Sequence, residues 1–205
     1  MTHKGITNIS TDDVAVAQEL GYVIKLVGDV REVESGISAE VSPTFLPKNH
    51  PLASVNDVMN AVFVESIGIG ESMYYGPGAG QKPTATSVLA DIIRIARRLS
   101  DGNVGKPFNE FRRDLPLANP ADVKSNYYFA LDTPDEKGKI LHLSEIFNSE
   151  DISFEQVLQQ KANGTTARIV VITHAMSKTQ LKAVTEKLEA AEDFTVVNTL
   201  KVLSN

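Results

Sequence analysis

The stretch "NYYFALDTPDEKGKILHLSEIFNS" (residues 126–149) decides how the chain is read, because its periodicity changes halfway along. Asn126 to Thr133 is rich in aromatic and apolar residues and reads as a strand, and Pro134 to Lys139 as a polar loop. Ile140, Leu143, Ile146 and Phe147 then recur at helical spacing. Downstream, "DISFEQVLQQ" reads as a strand and "KANGTT" as a turn. "ARIVVITHA" reads as a buried strand, "SKTQLKAVTEKLEAAE" as a helix capped by Ser177, and "FTVVNTLKVL" as a closing strand. The order βαββαβ predicts a ferredoxin-like sandwich over residues 126–205, with one antiparallel sheet and two helices on one face.

Upstream, residues 1–100 form a second region of α/β character with a mixed sheet. "ISTDDVAVAQELGY" predicts a helix with Ser10 as N-cap, Asp12 and Asp13 in its first turn and Gly21 as its stop. "YVIKLVGDV" and "ISAEVSPTFLP" are strand-like, with Pro43 and Pro47 expected to end the second. The proline-rich "EVSPTFLPKNHPLASV" reads as an irregular but rather apolar loop, a kind that packs against a substrate or another subunit. "AVFVES" and "ESMYY" read as strands around the turn "IGIG", and Val88 to Leu99 as a helix with a broad apolar face. Arg94, Arg97 and Arg98 read as a solvated helix end or a phosphate contact. Residues 101–125 are polar and punctuated by proline, as a connector would be.

The 205 residues carry 20 basic and 26 acidic side chains, for a net charge of −6. That balance argues against nucleic acid or an anionic membrane as the main partner. Cysteine is absent, which removes disulfides, a thiol nucleophile and cysteine metal clusters. With no apolar run of signal-peptide or membrane-span type, the expectation is a cytoplasmic protein. His3, His50, His142 and His174 have no metal-site spacing, so no metal is expected. No nucleophile motif stands out either. Asp132, Asp135 and Glu136 cluster in the loop after the first strand of the second region, as a solvated loop or a ligand site.

"YYGPGAGQKPTATSVLADIIRIARRL" (residues 74–99) brings three glycines, Gly76, Gly78 and Gly80, to the start of a helix. A dinucleotide fingerprint needs G-x-G-x-x-G, and a phosphate loop starting at Gly76 would need glycine at 81 and serine or threonine at 83. Gln81 and Pro83 stand there, so both motifs fail. Two readings stay open: a tight turn with Thr84 capping the helix, or a backbone approach to a polar ligand group near Gly80.

"ELGYVIKLVG", "VSPTFLPKNHPLASVNDVMNAVFVES" and "YYGPGAGQKPTATSVLADIIRIAR" resemble the latter part of homoserine dehydrogenase over about residues 5–100. The remainder resembles the ACT regulatory domain that follows the catalytic part in longer bacterial enzymes. The resemblance implies a C-terminal portion of an NADP- or NAD-dependent oxidoreductase interconverting homoserine and aspartate semialdehyde. It implies a dimerising substrate region, a homo-oligomer, and a feedback amino acid such as threonine. The family's Rossmann domain, catalytic lysine and substrate carboxylates have no counterpart in the sequence, so no catalytic residue is assigned and the chain alone is expected to be inactive. The family's cofactor contact carries over to Gly80. Regulatory-ligand contacts carry over to Asp135, Gly138 and Asp151, although Lys137 replaces a usual proline and Asp151 a common asparagine. A free-standing ACT-type amino-acid-binding regulator is the alternative.

Overall fold

A computed structural model describes residues 2–102, 114–163 and 165–203. Residues 103–113 of the expected connector lie outside the described residues. Two compact units result: Met1–Lys48 together with Leu115–Asn205, and Asn49–Asp114. In the first of these, the N-terminal segment joins the sheet of the C-terminal one.

The first unit begins with β1 (Thr2–His3), α1 (Thr11–Glu19), β2 (Tyr22–Val33) and β3 (Gly36–Pro47). Ser10 caps α1 in a reciprocal box with Asp13, and Gly21 leaves the helix with φ +85°. β2 and β3 form a long antiparallel hairpin from Tyr22↔Pro47 to Val33↔Gly36. Pro43 therefore does not end the strand, contrary to the sequence reading, whereas Pro47 is its last residue. The carbonyls of Val41 and Phe45 accept bonds from Lys4 and Leu203, on the side away from β2. Backbone groups alternate sides along a strand, so Pro43 and Pro47 also face away from β2 and remove no donor from that ladder. The segment expected to be an irregular loop is thus strand to Pro47, then a 3-10 turn at Pro51–Ser54.

The second unit holds β4 (Met59–Ser66), β5 (Gly70–Pro77) and α2 (Gln81–Ser100). β4 and β5 pair antiparallel from Met59↔Pro77 to Ser66↔Gly70. Among the described residues from Asn49 through Gly102, none is buried. The apolar stripe of α2 forms as expected, yet Leu89, Ile92 and Ile95 stay 57%, 56% and 58% exposed. A two-stranded hairpin and a helix with no core of their own are marginal in water.

The first unit resumes with β6 (Lys124–Pro134), α3 (Lys139–Asn148), β7 (Phe154–Asn163), β8 (Thr166–Thr173), β9 (Met176–Ser177), α4 (Lys178–Ala190) and β10 (Thr195–Val202). The strand order β10-β6-β8-β7, antiparallel throughout, is the ferredoxin-like arrangement the sequence predicts. It is extended at one edge, because Lys201 and Val202 pair in parallel with Thr44 and Phe45 of β3. The whole is a mixed sheet in an α/β fold.

Two cores flank this sheet. Tyr127, Phe129, Leu131, Ile169 and Val171 meet Leu143 and Phe147 of α3 and Val184 and Leu188 of α4. The alternate residues Tyr128, Ala130, Val170, Ile172 and Leu200 meet Phe45 and the α1 residues Val16 and Ala17. The expected layer of two helices on one face is therefore joined by α1 on the other. No helix among the described residues is long and apolar enough to cross a membrane.

A buried carboxylate fixes α1 in place. Asp13 accepts bonds from Tyr128 Oη at 3.0 Å, Asn198 Nδ2 at 3.0 Å, and the backbone and hydroxyl of Ser10 at 2.9 Å each. Burial alone would push its pKa up, but those donors outweigh burial and hold it below the ordinary value of 3.8. Its stabilising contribution is therefore complete above that value and is lost as pH falls through the lower folded value. Asp13→Asn should lower stability at neutral pH by about 1–3 kcal/mol and flatten the loss below pH 3.8. Urea unfolding across about pH 2 to 7 checks this; an unchanged acid limb would contradict the assignment.

Candidate functional site

The glycine turn joins β5 to α2 within the second unit. Gly78 donates its N–H to the Val58 carbonyl at 3.0 Å. A Cβ on Gly78 would stand 1.5 Å from Asn60 Nδ2, so the Asn60 amide occupies the space a side chain would need. Gly80 is the N-cap of α2 with φ +130° and ψ 151°, a conformation essentially confined to glycine. It makes no side-chain capping bond. Thr84 is not the cap: its N–H already donates to the Gly80 carbonyl at 3.1 Å, one turn into the helix. Pro83, inside the first turn, has no N–H, leaving the amides of Gln81 and Lys82 to point out of the helix end. Gly76 differs from both neighbours. It has no left-handed φ and no atom within 4 Å of where its Cβ would stand, so nothing in the described chain calls for glycine there. Arg97 and Arg98 lie in the last turn of α2, at the opposite end from this turn.

In the first unit, a cavity of about 310 Å3 opens at the loop between β6 and α3. Asp135 and Gly138 line it, together with Thr133, Lys139, Gln159 and Ile169. Gly138 is the left-handed N-cap of α3, with φ +91° and no side-chain capping bond. The helix therefore offers unpaired amides and the positive end of its dipole to the cavity. Thr133 is 2% exposed, and its hydroxyl has no hydrogen-bond partner among the described residues. Sequence reasoning passed over Thr133. The signal was its parity with Tyr127, Phe129 and Leu131, which places it on the inward face of β6.

Beside the cavity, Lys139 Nζ lies 3.3 Å from Asp193 and 3.4 Å from Glu136, and His142 Nδ1 lies 3.0 Å from Asp193. Desolvation would raise the Asp193 pKa, but the contacts with His142 and Lys139 prevail and lower it. Lys139 is raised: desolvation opposes the shift, and the bonds to Asp193 and Glu136 overcome it. Its positive charge is thereby pinned at the start of α3.

Asp151 does not belong to this cluster. It follows the C-terminal end of α3, about 15 Å of helix away from Gly138. It is a left-handed turn residue with φ 59°, its N–H donating to the Asn148 carbonyl at 3.0 Å. The structure thus brings Asp135 and Gly138 together and leaves Asp151 apart. No group of three or more potential metal-ligating side chains occurs among the described residues.

The homoserine dehydrogenase family model matches residues 1–93. A homoserine dehydrogenase of Lactococcus lactis is 58% identical over 205 residues, covering 100% of this chain and 48% of the relative. One from Bacillus subtilis is 34% identical over 191 residues, covering 92% and 44% respectively. The crystal structure of a homoserine dehydrogenase from Thiobacillus denitrificans superposes with a TM-score of 0.88 at 30% identity, over 99% of this chain and 48% of that one. The chain spans about half the length of the curated relatives it matches.

The three glycines should respond differently to alanine. Gly80→Ala places a Cβ on a glycine-only backbone and should weaken the start of α2 by about 1–3 kcal/mol. Gly76→Ala should change it by no more than about 0.5 kcal/mol. Amide hydrogen exchange in α2 reads both, and equal effects would contradict the assignment.

Proposed function

This chain belongs to the homoserine dehydrogenase family, and from that premise we propose that it is the C-terminal part of such an enzyme. The activity proposed for the whole protein is hydride transfer between L-homoserine and L-aspartate 4-semialdehyde, with NADP or NAD as the partner. One observation carries the division of labour: from Asn49 through Gly102 no described residue is buried, although the segment is rich in Val, Ile and Tyr. Such a surface is stable only when something covers it. The remainder of the catalytic region and a second copy of the chain are the occupants proposed.

The glycine turn fits the approach of a cofactor. Gly76 leaves open space that the described chain does not use, Gly80 keeps the backbone bare, and two α2 amides are available to a polar group. The nicotinamide cofactor would supply the hydride acceptor; this chain's own contribution is to bind and orient it through backbone at Gly80. The sequence contains no G-x-G-x-x-G and matches none of the family's catalytic lysine, so the chain alone should not catalyse the reaction. Homoserine-dependent NADP reduction should be absent with the purified chain. It should appear when the chain is co-expressed with the complementary half of the Lactococcus relative. Turnover by the chain alone would overturn the proposal.

The first unit is proposed to sense an amino acid at the β6–α3 loop. The α3 amides and the Thr133 hydroxyl suit a carboxylate, and Asp135 and Glu136 suit an ammonium. Threonine is the ligand expected. A free-standing amino-acid-binding regulator uses the same loop, and the co-expression experiment separates the two readings. Calorimetry should register threonine binding that Thr133→Val weakens by about fivefold, the worth of one hydrogen bond. That substitution buries a methyl in place of an unpartnered hydroxyl, so thermal stability without ligand should not fall. Absence of heat with threonine or any other pathway amino acid would remove the sensing role.

A further inference from the structure

A second cavity, of about 470 Å3, lies in the first unit between Lys4 and Asn8 of the segment after β1, β3, α4 and one side of β10, and shares no lining residue with the cavity at the β6–α3 loop. Its origin is a gap in the sheet. On the side of β3 away from β2, β1 pairs with Glu40 and Val41, and β10 pairs only with Thr44 and Phe45. Ser42 and Pro43, in between, have no strand beside them on that side, and Pro43 has no donor to leave unpaired. Residues 195–200 of β10 pair with β6 alone. One stripe of α4, through Leu181 and Thr185, forms the adjoining wall.

The chemistry of the gap is asymmetric. Pro43, Leu181, Val196 and Leu200 give it an apolar wall. The Glu40 carboxylate is already engaged, with Lys178 Nζ at 2.5 Å and the Ser42 hydroxyl at 3.0 Å. Lys4 is different. Its Nζ donates to Asn198 Oδ1 at 3.3 Å and to the Thr199 carbonyl at 2.5 Å, and among the described residues no carboxylate lies in direct contact with it. Burial lowers its pKa and the charge of Asp13 partly restores it. Next to it, the Thr199 hydroxyl is buried with no partner among the described residues. A cation held by neutral oxygens and an orphan hydroxyl on the wall of an apolar cavity are an incomplete set, and an anionic acceptor completes it.

We propose that this cavity is a binding site for a small aliphatic carboxylate, whose carboxyl group engages Lys4 and the Thr199 hydroxyl while its hydrocarbon body lies on Pro43, Leu181 and Val196. The volume lies within the range of small-molecule sites. The site is independent of the sensing role proposed for the β6–α3 loop.

The probe is 3-methylbutanoate, titrated into the isotope-labelled chain and followed by amide chemical shifts, with 3-methylbutylamine as the charge-reversed control. Saturable shifts are expected around Lys4 and Thr199 with the acid and not with the amine. Lys4→Met should weaken binding about tenfold or more, as loss of a charge-assisted bond does. Because Lys4 also braces β10, Thr199→Val is the second variant. It removes an unpartnered hydroxyl, so it should leave stability unchanged or raised while weakening the acid about threefold to fivefold. Thr133→Val should leave this binding unaffected. No saturable shift in the native chain, equal binding of the amine, shifts confined to the β6–α3 loop, or native affinity in both Lys4→Met and Thr199→Val would each overturn the proposal.

Discussion

The burial of one charged group, the Asp13 carboxylate, organises the first unit. An ionised carboxylate inside a protein is tolerated only when donors surround it, and here they come from three separated parts of the chain. Ser10 is local, Tyr128 lies in the central strand β6, and Asn198 in β10. The same group thus closes the capping box of α1 and ties that helix to two strands of the sheet. Val16 and Ala17, one turn further on, are then delivered onto Tyr128, Ala130 and Val170. The Phe45 ring stacks on Tyr128 with centroids 4.4 Å apart, which brings β3 into the same cluster. Without α1, the face of the sheet carrying Tyr128, Ala130, Val170 and Ile172 would stand open to water.

The second unit shows the opposite condition. Its elements form where local rules put them: a hairpin around Ser66–Gly70, then a helix with an apolar stripe and cations in its last turn. None of this buries a side chain among the described residues. Secondary structure here obeys periodicity, while tertiary stabilisation has to come from surfaces outside the unit.

Much of this was legible in sequence, and the failures have identifiable causes. The βαββαβ order was readable because each element carries its own period and its own cap, Ser177 with Gln180 among them. The second face of the sheet was not, because the evidence for it is distributed. Continuous apolar runs such as Tyr127–Leu131 signal a strand covered on both sides, but which helix covers it depends on a contact 115 residues distant, Asp13 to Tyr128. Pro43 of β3 misled because a proline is judged by whether its missing donor is needed, and that depends on neighbouring strands. Asp135 and Gly138 line one cavity because they flank a loop visible in sequence. Asp151 lies at the other end of α3, which adjacency to a helix in sequence does not reveal, and Thr133 lines the cavity with a buried hydroxyl that has no sequence motif.

The glycine turn draws these points together. Three glycines at alternate positions look equivalent in sequence, and each has a different physical basis. Gly80 is required by its backbone angles, and the Asn60 amide occupies the side-chain space at Gly78. Gly76 is required by neither, and a strand residue with open space around it would ordinarily gain from a side chain. A structural turn therefore accounts for two of the three. The third has no such basis among the described residues. Three positions that look alike in sequence thus differ in backbone angle and in the space around them.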